Sequence, residues 1–343
     1  TRDNWGTFCY VRDVKSGDVW STGYQPTLRE ADSYEAILSE ARVEFRRRDM
    51  DIETHTEIAV SPEDDIELRR VRITNSTKGS KVIDVTSYAE VVLSSPAADA
   101  LHPAFGNLFV QTEIVQERQT ILCTRRPRSA NEVTPWMFHL MVARGASVGE
   151  VSYETDRARF IGRGNTVANP QAHSTALSGS DGSVLDPIVA IRCRVTLAPE
   201  ETVSINIVSG VGETRSVCMQ LIDKYQDVRF ADRTFDLAWT HSQVLLRQIN
   251  ASNREAQLYA QLASSVVYAS PLLRVAESVL LKNHRNQSGL WGYTISGDLP
   301  IVLLRVADPS HIELVRQLVQ AHAYWRLKGL TVDLVIWNED QAG

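Results

Sequence analysis

Residues 286–300 bring together glycines, two aromatic rings, small hydroxyls and a single carboxylate. Trp291 and Tyr293 supply flat apolar faces, Ser296 supplies a hydroxyl, and Asp298 supplies the carboxylate. Glycine allows a backbone to approach a ligand closely, and a sugar presents apolar C–H faces with a rim of hydroxyls. The stretch therefore predicts either a carbohydrate-binding edge or a glycine-rich turn into a helix, with Asp298 as a buried cap.

Two other charged runs have a chemical and a structural interpretation. Thr124-Arg-Arg-Pro-Arg128 could hold an anionic group, although the favoured interpretation is a solvated loop. Asn338-Glu-Asp340 follows an apolar run, a common position for functional carboxylates, but a structural role is favoured there as well. The sequence contains no HExxH or GxSxG motif, and Gly210-Val-Gly-Glu-Thr lacks the Gly-Lys-Ser/Thr of a phosphate-binding loop.

Composition narrows the class of protein. The chain has 343 residues, of which 43% are hydrophobic and 23% are charged, as in ordinary globular proteins. A net charge of -6 argues against a nucleic-acid partner, which normally requires a basic face. The cysteines at 9, 123, 193 and 218 form no CxxC pair and predict reduced core residues in a cytoplasmic setting. No apolar run reaches the ~18 residues that a membrane crossing requires.

The elements that must position the 286–300 stretch begin with β-structure. Large apolar residues occupy every second position of 189–197, and the alternation resumes in 203–207 after the turn Ala198-Pro-Glu-Glu201. This pattern predicts a hairpin with one buried and one solvated face. Ile66 and Leu68 share one phase whereas Val71 and Ile73 are shifted by one residue, which predicts a bulge near Arg69. Because no helical pattern separates these strands, a large antiparallel sandwich is predicted.

Helical periodicity begins near residue 212. Residues 214–225 are predicted to be helical, and Phe235, Ala238, Trp239, Leu246 and Ile249 then fall on one helical face. Ser252-Asn-Arg-Glu255 is a capping box that opens a helix through Leu258, Leu262 and Val266. Asp308-Pro309 predicts another helix, with Leu314, Leu318, Ala321 and Trp325 on one stripe and an end at Gly329.

The predicted order is a sandwich over 1–211, a helical linker over 212–285 and the first helices of an all-α domain over 286–343. The sequence starts within a predicted strand and stops after an apolar run, so we expect a piece of a larger polypeptide.

Several separate motifs agree with one family. They are Asp13-Val-Lys-Ser-Gly-Asp-Val-Trp-Ser21, Val60-Ser-Pro-Glu-Asp-Asp65, Thr86-Ser-Tyr-Ala-Glu90, His102-Pro-Ala-Phe105, Glu154-Thr-Asp-Arg-Ala-Arg-Phe160, Ile295-Ser-Gly-Asp-Leu-Pro-Ile-Val-Leu-Leu-Arg305 and Val332-Asp-Leu-Val-Ile336. Together they resemble the phosphorylase-like region of cyclic β-1,2-glucan synthases, which belongs with the inverting sugar phosphorylases of glycoside hydrolase family 94. The resemblance runs from end to end of the chain.

The resemblance implies a fold and a chemistry. The fold is a β-supersandwich of the galactose-mutarotase-like kind, a helical linker and an (α/α)6 barrel. The chemistry is phosphorolysis with inversion, in which inorganic phosphate is the co-substrate and no cofactor is required. The family pattern assigns the contact with the glucose whose bond is broken to Asp298, with Trp291, Tyr293 and Ser296 as neighbours.

The resemblance also implies where the family's other catalytic residues lie. The family's general acid and phosphate-binding residues lie beyond Gly343, so we expect no turnover by this chain alone. The phosphorylases carry an Arg and a longer polar turn before the Asp, where this chain has Trp291-Gly-Tyr-Thr-Ile.

The implied partners are a β-glucan oligosaccharide, phosphate and the rest of a larger polypeptide, with a homodimer formed through the sandwich. The implied location is the cytoplasmic face of a bacterial inner-membrane protein. The alternative is a non-catalytic carbohydrate-binding or dimerisation module, whose ligand would bind loops such as His102-Pro-Ala-Phe105.

Overall fold

The strand-forming residues of the first two thirds assemble into two antiparallel sheets. The structure is a computed structural model that describes residues 6–127, 129, 132–268 and 275–339. It divides into two units, Arg2–Trp239 and Thr240–Gly343, which are described separately. The sequence predicts a first strand over 5–11, and its first residue, Trp5, lies outside the described residues.

The strands of the first unit are β1 (Phe8–Asp13), β2 (Val19–Ser21), β3 (Ser33–Leu38), β4 (Val43–Asp49), β5 (Ile52–Val60), β6 (Ile66–Asn75), β7 (Lys81–Glu90), β8 (Val110–Val115), β9 (Thr120–Arg125), β10 (Trp136–Arg144), β11 (Ser147–Asp156), β12 (Pro187–Leu197) and β13 (Thr202–Gly212). One sheet has the order β11-β12-β7-β1-β2 and the other has the order β3-β4-β5-β6-β13-β10-β9-β8. The predicted fold class, a large antiparallel β-sandwich followed by helices, is confirmed.

The predicted hairpin of β12 and β13 is wrong, although both strands and their inward residues are correct. β12 pairs with β11 and β7, whereas β13 pairs with β10 and β6, so the 198–201 turn leads from one sheet to the other. Asn75 stabilises this crossing because its amide Nδ2 donates to the carbonyls of Leu197 and Ala198, each at 3.1 Å. The predicted solvated face is also wrong, because Ala190, Arg192 and Val208 on that face are buried. Alternation therefore specified the inward residues but neither the pairing partner nor the burial of the opposite face.

The predicted bulge near Arg69 is also wrong. β6 pairs with β5 and β13 in unbroken register through Arg69 and Arg70. Ile66 and Leu68 belong to the apolar cluster on the outer face of the larger sheet, and Val71 and Ile73 belong to the cluster between the sheets. The phase shift therefore records burial on both faces of the strand.

Helices and apolar clusters close the first unit. Its helices are α1 (Pro96–Leu101), α2 (Pro103–Asn107), α3 (Arg157–Ile161), α4 (Arg215–Tyr225) and α5 (Val228–Gln248), the last of which continues into the second unit. The predicted helix over 214–225 is confirmed, with Thr214 as its N-cap. Cys218 and Ile222 of α4 pack against the outer face of the larger sheet. All four cysteines are buried and free, in agreement with the prediction that they are reduced core residues.

The run 124–128 does not behave as one solvated loop. Thr124 and Arg125 end β9, and Arg125 is only 4% exposed. Arg126 and Pro127 are exposed, whereas Arg128 lies outside the described residues.

The second unit contains α6 (Asn253–Val267), α7 (Glu277–Leu280), α8 (Ile312–Leu327), β14 (Ile301–Val306) and β15 (Asp333–Asn338). The capping box of α6 is confirmed in both of its hydrogen bonds. Gly329 follows the end of α8 with a φ of 82°, as the sequence predicted. β14 and β15 pair in parallel, where the sequence predicted helices and not strands.

The buried stripes of two helices differ from the predicted ones. α6 buries Ala256 and Tyr259, whereas Leu258 and Leu262 are exposed. The indole Nε1 of Trp325 in α8 donates to the carbonyl of Tyr259 at 2.8 Å, so α8 packs against the face of α6 that carries Tyr259. In α5, Trp239 is exposed although Phe235, Ala238 and Leu246 are buried. Among the described residues, none of the helices combines the length and apolar content needed to cross a membrane.

Candidate functional site

The 286–300 stretch forms a tight turn that leads into β14. A 3₁₀ helix covers Gln287–Tyr293 and ends at Thr294, which has a φ of 60°. Gly297 has a φ of 79°, and a Cβ there would lie 2.7 Å from Cγ of Gln287. Glycine is therefore required at 297 both by its left-handed backbone and by the close approach of Gln287. The predicted turn is confirmed, but the capping role of Asp298 is wrong, because a strand follows and the carboxylate is exposed.

Gln287 orients the Asp298 carboxylate. Its amide Nε2 donates to Oδ1 of Asp298 at 2.7 Å and to the carbonyl of Ser296 at 2.8 Å. The backbone N–H of Asp298 donates to Oγ of Ser296 at 3.2 Å. Within the described residues Oδ2 of Asp298 has neither a hydrogen-bond partner nor an ion-pair partner, whereas Oδ1 and the backbone N–H are both engaged. One carboxylate oxygen is thus fixed by the protein, and the other is able to accept hydrogen bonds from sugar hydroxyls.

The two aromatic residues of the turn, Trp291 and Tyr293, lie on different surfaces. The indole Nε1 of Trp291 donates to the carbonyl of Ser296 at 3.3 Å, and 63% of the side chain is exposed. Tyr293 is 74% exposed and lines a groove that the turn forms with β14 and β15. Trp291, Ser296 and Asp298 do not line this groove. The four predicted site residues therefore share one turn but not one concave surface.

The groove has a volume of about 900 Å³ and is mainly apolar. Its walls are formed by Leu290, Tyr293, Thr294, Ile295, Ile301, Leu303, Asp333, Leu334, Val335, Ile336, Trp337 and Asn338. Tyr293 and Trp337, which is 56% exposed, give it two aromatic walls. Oδ2 of Asp333 is buried there without a hydrogen-bond partner in the described residues. Aromatic faces beside polar side chains are the composition that carbohydrate surfaces require.

Gln287, Asp333 and Trp337 were missed as site residues. For Trp337 a signal existed, because it directly precedes the Asn338-Glu-Asp340 run, which is itself a candidate site in the sequence. Glu339 of that run is held by Arg305, whose Nη2 lies 2.8 and 2.9 Å from its two oxygens, so the structural interpretation is supported at Glu339. Asp340 lies outside the described residues.

The arrangement supports ligand binding rather than a complete catalytic centre. Among the described residues, no group of three or more His, Cys, Asp and Glu side chains is arranged to hold a metal ion. The turn offers one oriented carboxylate and an exposed indole, and the groove adds aromatic walls and a second carboxylate. The chemistry available to these groups is the recognition of hydroxyls and of apolar sugar faces.

Comparison with known proteins identifies the first unit. The glycosyl hydrolase 94 supersandwich domain matches residues 1–228, which is more than half of the chain. The chain belongs to glycosyl hydrolase family 94. The family 94 match ends before the 286–300 turn, so the sandwich carries the family assignment and the turn does not.

Relatives of this family 94 chain include a synthase and phosphorylases. Cyclic beta-(1,2)-glucan synthase NdvB of Rhizobium meliloti (strain 1021) is 34% identical over 339 residues, which is 98% of this chain and 12% of that protein. Solabiose phosphorylase of Paenibacillus borealis is 25% identical over 218 residues, or 63% of this chain and 27% of the relative. N,N'-diacetylchitobiose phosphorylase of Vibrio furnissii is 25% identical over 247 residues, or 68% and 28%. The chain thus spans well under a third of the length of these curated relatives.

Proposed function

We propose that this chain is part of a β-1,2-glucan-active, inverting, phosphorylase-like enzyme, in which the 286–300 turn binds the glucose whose bond is broken. The observation that carries the proposal is the 34% identity with the glucan synthase NdvB over 98% of the chain, which includes the turn. The oriented Asp298 carboxylate supports the same assignment, because one of its oxygens is available to sugar hydroxyls.

In the proposed reaction a carboxylic acid protonates the glycosidic oxygen while phosphate attacks the anomeric carbon from the opposite face. The carbon–oxygen bond to the leaving glucan breaks, and a bond to a phosphate oxygen forms. An inverting hydrolase needs a second carboxylate to activate water. Phosphate is already an anionic nucleophile, so one acid suffices. We expect that acid and the phosphate-binding residues beyond Gly343.

Asp298 is proposed as a binding residue in this scheme. Its Oδ2 accepts hydrogen bonds from one or two glucose hydroxyls while Gln287 holds Oδ1. Trp291 and Tyr293 offer rings to the apolar faces of neighbouring glucose units, and Ser296 fixes the backbone before the Asp. Phosphorolysis would shorten β-glucan chains, which is a means of controlling their length.

Replacing Asp298 by Asn in the complete polypeptide tests this role. A hydrogen bond to a charged group is worth about 1.5–3 kcal/mol, so we expect kcat/KM for phosphorolysis of β-1,2-glucan to fall at least about tenfold. Glu277→Gln, which removes an exposed carboxylate from α7, is the matched control and should change the rate less than twofold. An unchanged rate in Asp298→Asn would show that the carboxylate has only a structural role in the turn.

The chain by itself is expected to release no glucose 1-phosphate from β-1,2-glucan and phosphate. This expectation follows from the proposed position of the general acid beyond Gly343. Clear release by the chain alone would contradict that position.

A non-catalytic carbohydrate-binding or dimerisation module is the second candidate. The observation in its favour is Phe105 of α2, which is 57% exposed at the surface of the first unit. Chemical-shift changes on adding β-1,2-glucan oligosaccharides distinguish the two, because the enzyme proposal maps contacts to 286–300 and the module maps them to 102–105. The homodimer and the cytoplasmic location remain proposals that rest on the family resemblance.

A further inference from the structure

Arg125 has an unusual environment for a cation. It ends β9 and is only 4% exposed, and both terminal nitrogens of its guanidinium are buried without a hydrogen-bond partner in the described part of the chain. A buried charge is costly unless it is paired and hydrogen-bonded. Its hydrogen-bonding capacity therefore calls for an anionic partner.

Arg125 makes a cation–π contact, but this contact gives no hydrogen-bond acceptor to its terminal nitrogens. Its Cζ lies 5.3 Å from the ring centroid of Phe109, a cation–π distance. The Cζ of Arg126 lies 5.8 Å from the same centroid, so two cations share one ring. Nη2 of Arg126 donates to the carbonyl of Leu108 at 2.9 Å, whereas Arg125 has no such carbonyl. Two neighbouring guanidinium groups raise the local positive potential and favour an anion over water.

A cavity of about 400 Å³ adjoins Arg125. Its lining is formed by Arg125, Leu93, Ser94, Ser95, Ala98, Glu132, Val133, Thr134 and Pro135. The hydroxyls of Ser94, Ser95 and Thr134 are donors of the kind that complete oxyanion sites. The exposed Glu132 is the opposing charge, and it has an interaction of its own.

We propose that this cavity binds a small oxyanion, a phosphate or carboxylate group, through the guanidinium of Arg125 and the surrounding hydroxyls. The planar fork of Arg matches two oxygens of such a group. The terminal nitrogens are closed to solvent, so binding requires a local rearrangement that brings them into contact with the anion. The site belongs to the first unit, whereas the proposed glucose contact at Asp298 belongs to the second.

Titration of the 343-residue chain with inorganic phosphate at constant ionic strength tests the proposal, with sodium chloride as the reference and acetate as the carboxylate probe. Phosphate or acetate should bind with one-to-one stoichiometry in calorimetry and raise the melting temperature saturably. Arg125→Gln should weaken that binding at least tenfold. Arg163→Gln, which removes an exposed positive charge elsewhere in the first unit, should leave it unchanged.

Two further variants keep the test decisive. If Arg125→Gln does not fold, Arg125→Lys retains the charge and loses the fork, and binding should still weaken at least threefold. Glu132→Gln should leave binding equal or tighter, because it removes a negative charge from the cavity. The proposal is wrong if neither anion binds, if the Arg125 variants bind as the unchanged chain does, or if Glu132→Gln lowers both binding and melting temperature as the loss of an ion-pair partner would.

Discussion

One oxygen of the Asp298 carboxylate is hydrogen-bonded within the protein, and the other is available to a ligand. Oδ1 is fixed by Gln287 at 2.7 Å, and this contact depends on the left-handed backbone at Thr294 and Gly297. The residue type and its glycine-rich surroundings could be predicted from sequence. The Gln287 contact could not, because it joins residues separated by a turn whose path is set by backbone angles rather than by residue spacing.

His139 provides a residue-scale prediction that is independent of the proposed reaction. It is buried between the two sheets, where Nδ1 lies 2.8 Å from Oγ of Ser209 and Nε2 lies 2.8 Å from Oγ of Ser87. Burial is the main cause that lowers the pKa of His139 to about 3, and the charge of Arg69 contributes. Since an unfolded histidine has a pKa near 6.5, the unfolded chain binds a proton between these values and the folded chain does not.

The sign of the effect follows from this difference. Above about pH 6.5 the protonation of His139 does not change the free energy of unfolding. As the pH drops from 6.5 towards 3, His139 lowers that free energy by up to about 1.4 kcal/mol per pH unit. His173, whose pKa burial lowers to about 4, adds to the same trend. In urea unfolding at pH 6.5 and 4.5, His139→Gln should lose about 2 kcal/mol less stability over this interval than the unchanged chain. The exposed His241→Gln is the control, and equal slopes for the chain and His139→Gln would contradict the buried neutral state.

The elements show where periodicity succeeds and where it fails. The strands of 189–197 and 203–207 and their inward residues were predictable from alternation, but the predicted solvated face is wrong, because 187–193 and 205–208 are buried on both faces. Their sheet membership was not predictable, since an identical alternation is produced by a hairpin and by a crossing between two packed sheets. The parallel β14–β15 pair was missed because its residues are separated by α8, and pairing over such a distance leaves no local signal.

Gly297 supplies the element-scale prediction. In Gly297→Ala the new Cβ would meet Cγ of Gln287 at 2.7 Å and Cδ1 of Leu290 at 3.2 Å, on a residue with a φ of 79°. The left-handed backbone alone costs about 1 kcal/mol for a residue with a Cβ. We expect the displaced Gln287 to release Asp298 and kcat/KM for β-1,2-glucan phosphorolysis by the complete polypeptide to fall about fivefold or more.

Gly292→Ala is the matched control within the same turn, because a Cβ at 292 meets no atom within 4 Å. It should change kcat/KM less than twofold. Equal effects of the two substitutions would show that the geometry around Gly297 does not support the site.

At the scale of the whole molecule, composition and alternation were sufficient for the sandwich-then-helix order, and the family 94 match over 1–228 agrees with it. The barrel, the domain boundaries and the roles of the turn residues remain predictions. Chemistry could not be deduced from the fold, because sandwiches of this kind say nothing about which residues reach a ligand. The proposed reaction, unlike the family membership, therefore depends on the 286–300 turn and on the similarity to NdvB, of which the chain spans 12%.

The anomeric configuration of the first product tests the central claim most directly. The complete polypeptide is incubated with linear β-1,2-glucan and inorganic phosphate, and proton and phosphorus NMR spectra are recorded before the product equilibrates. Inverting phosphorolysis of a β-linkage predicts α-glucose 1-phosphate, formed only when phosphate is present. The appearance of β-glucose 1-phosphate, or of free glucose at a rate independent of phosphate, would contradict the account.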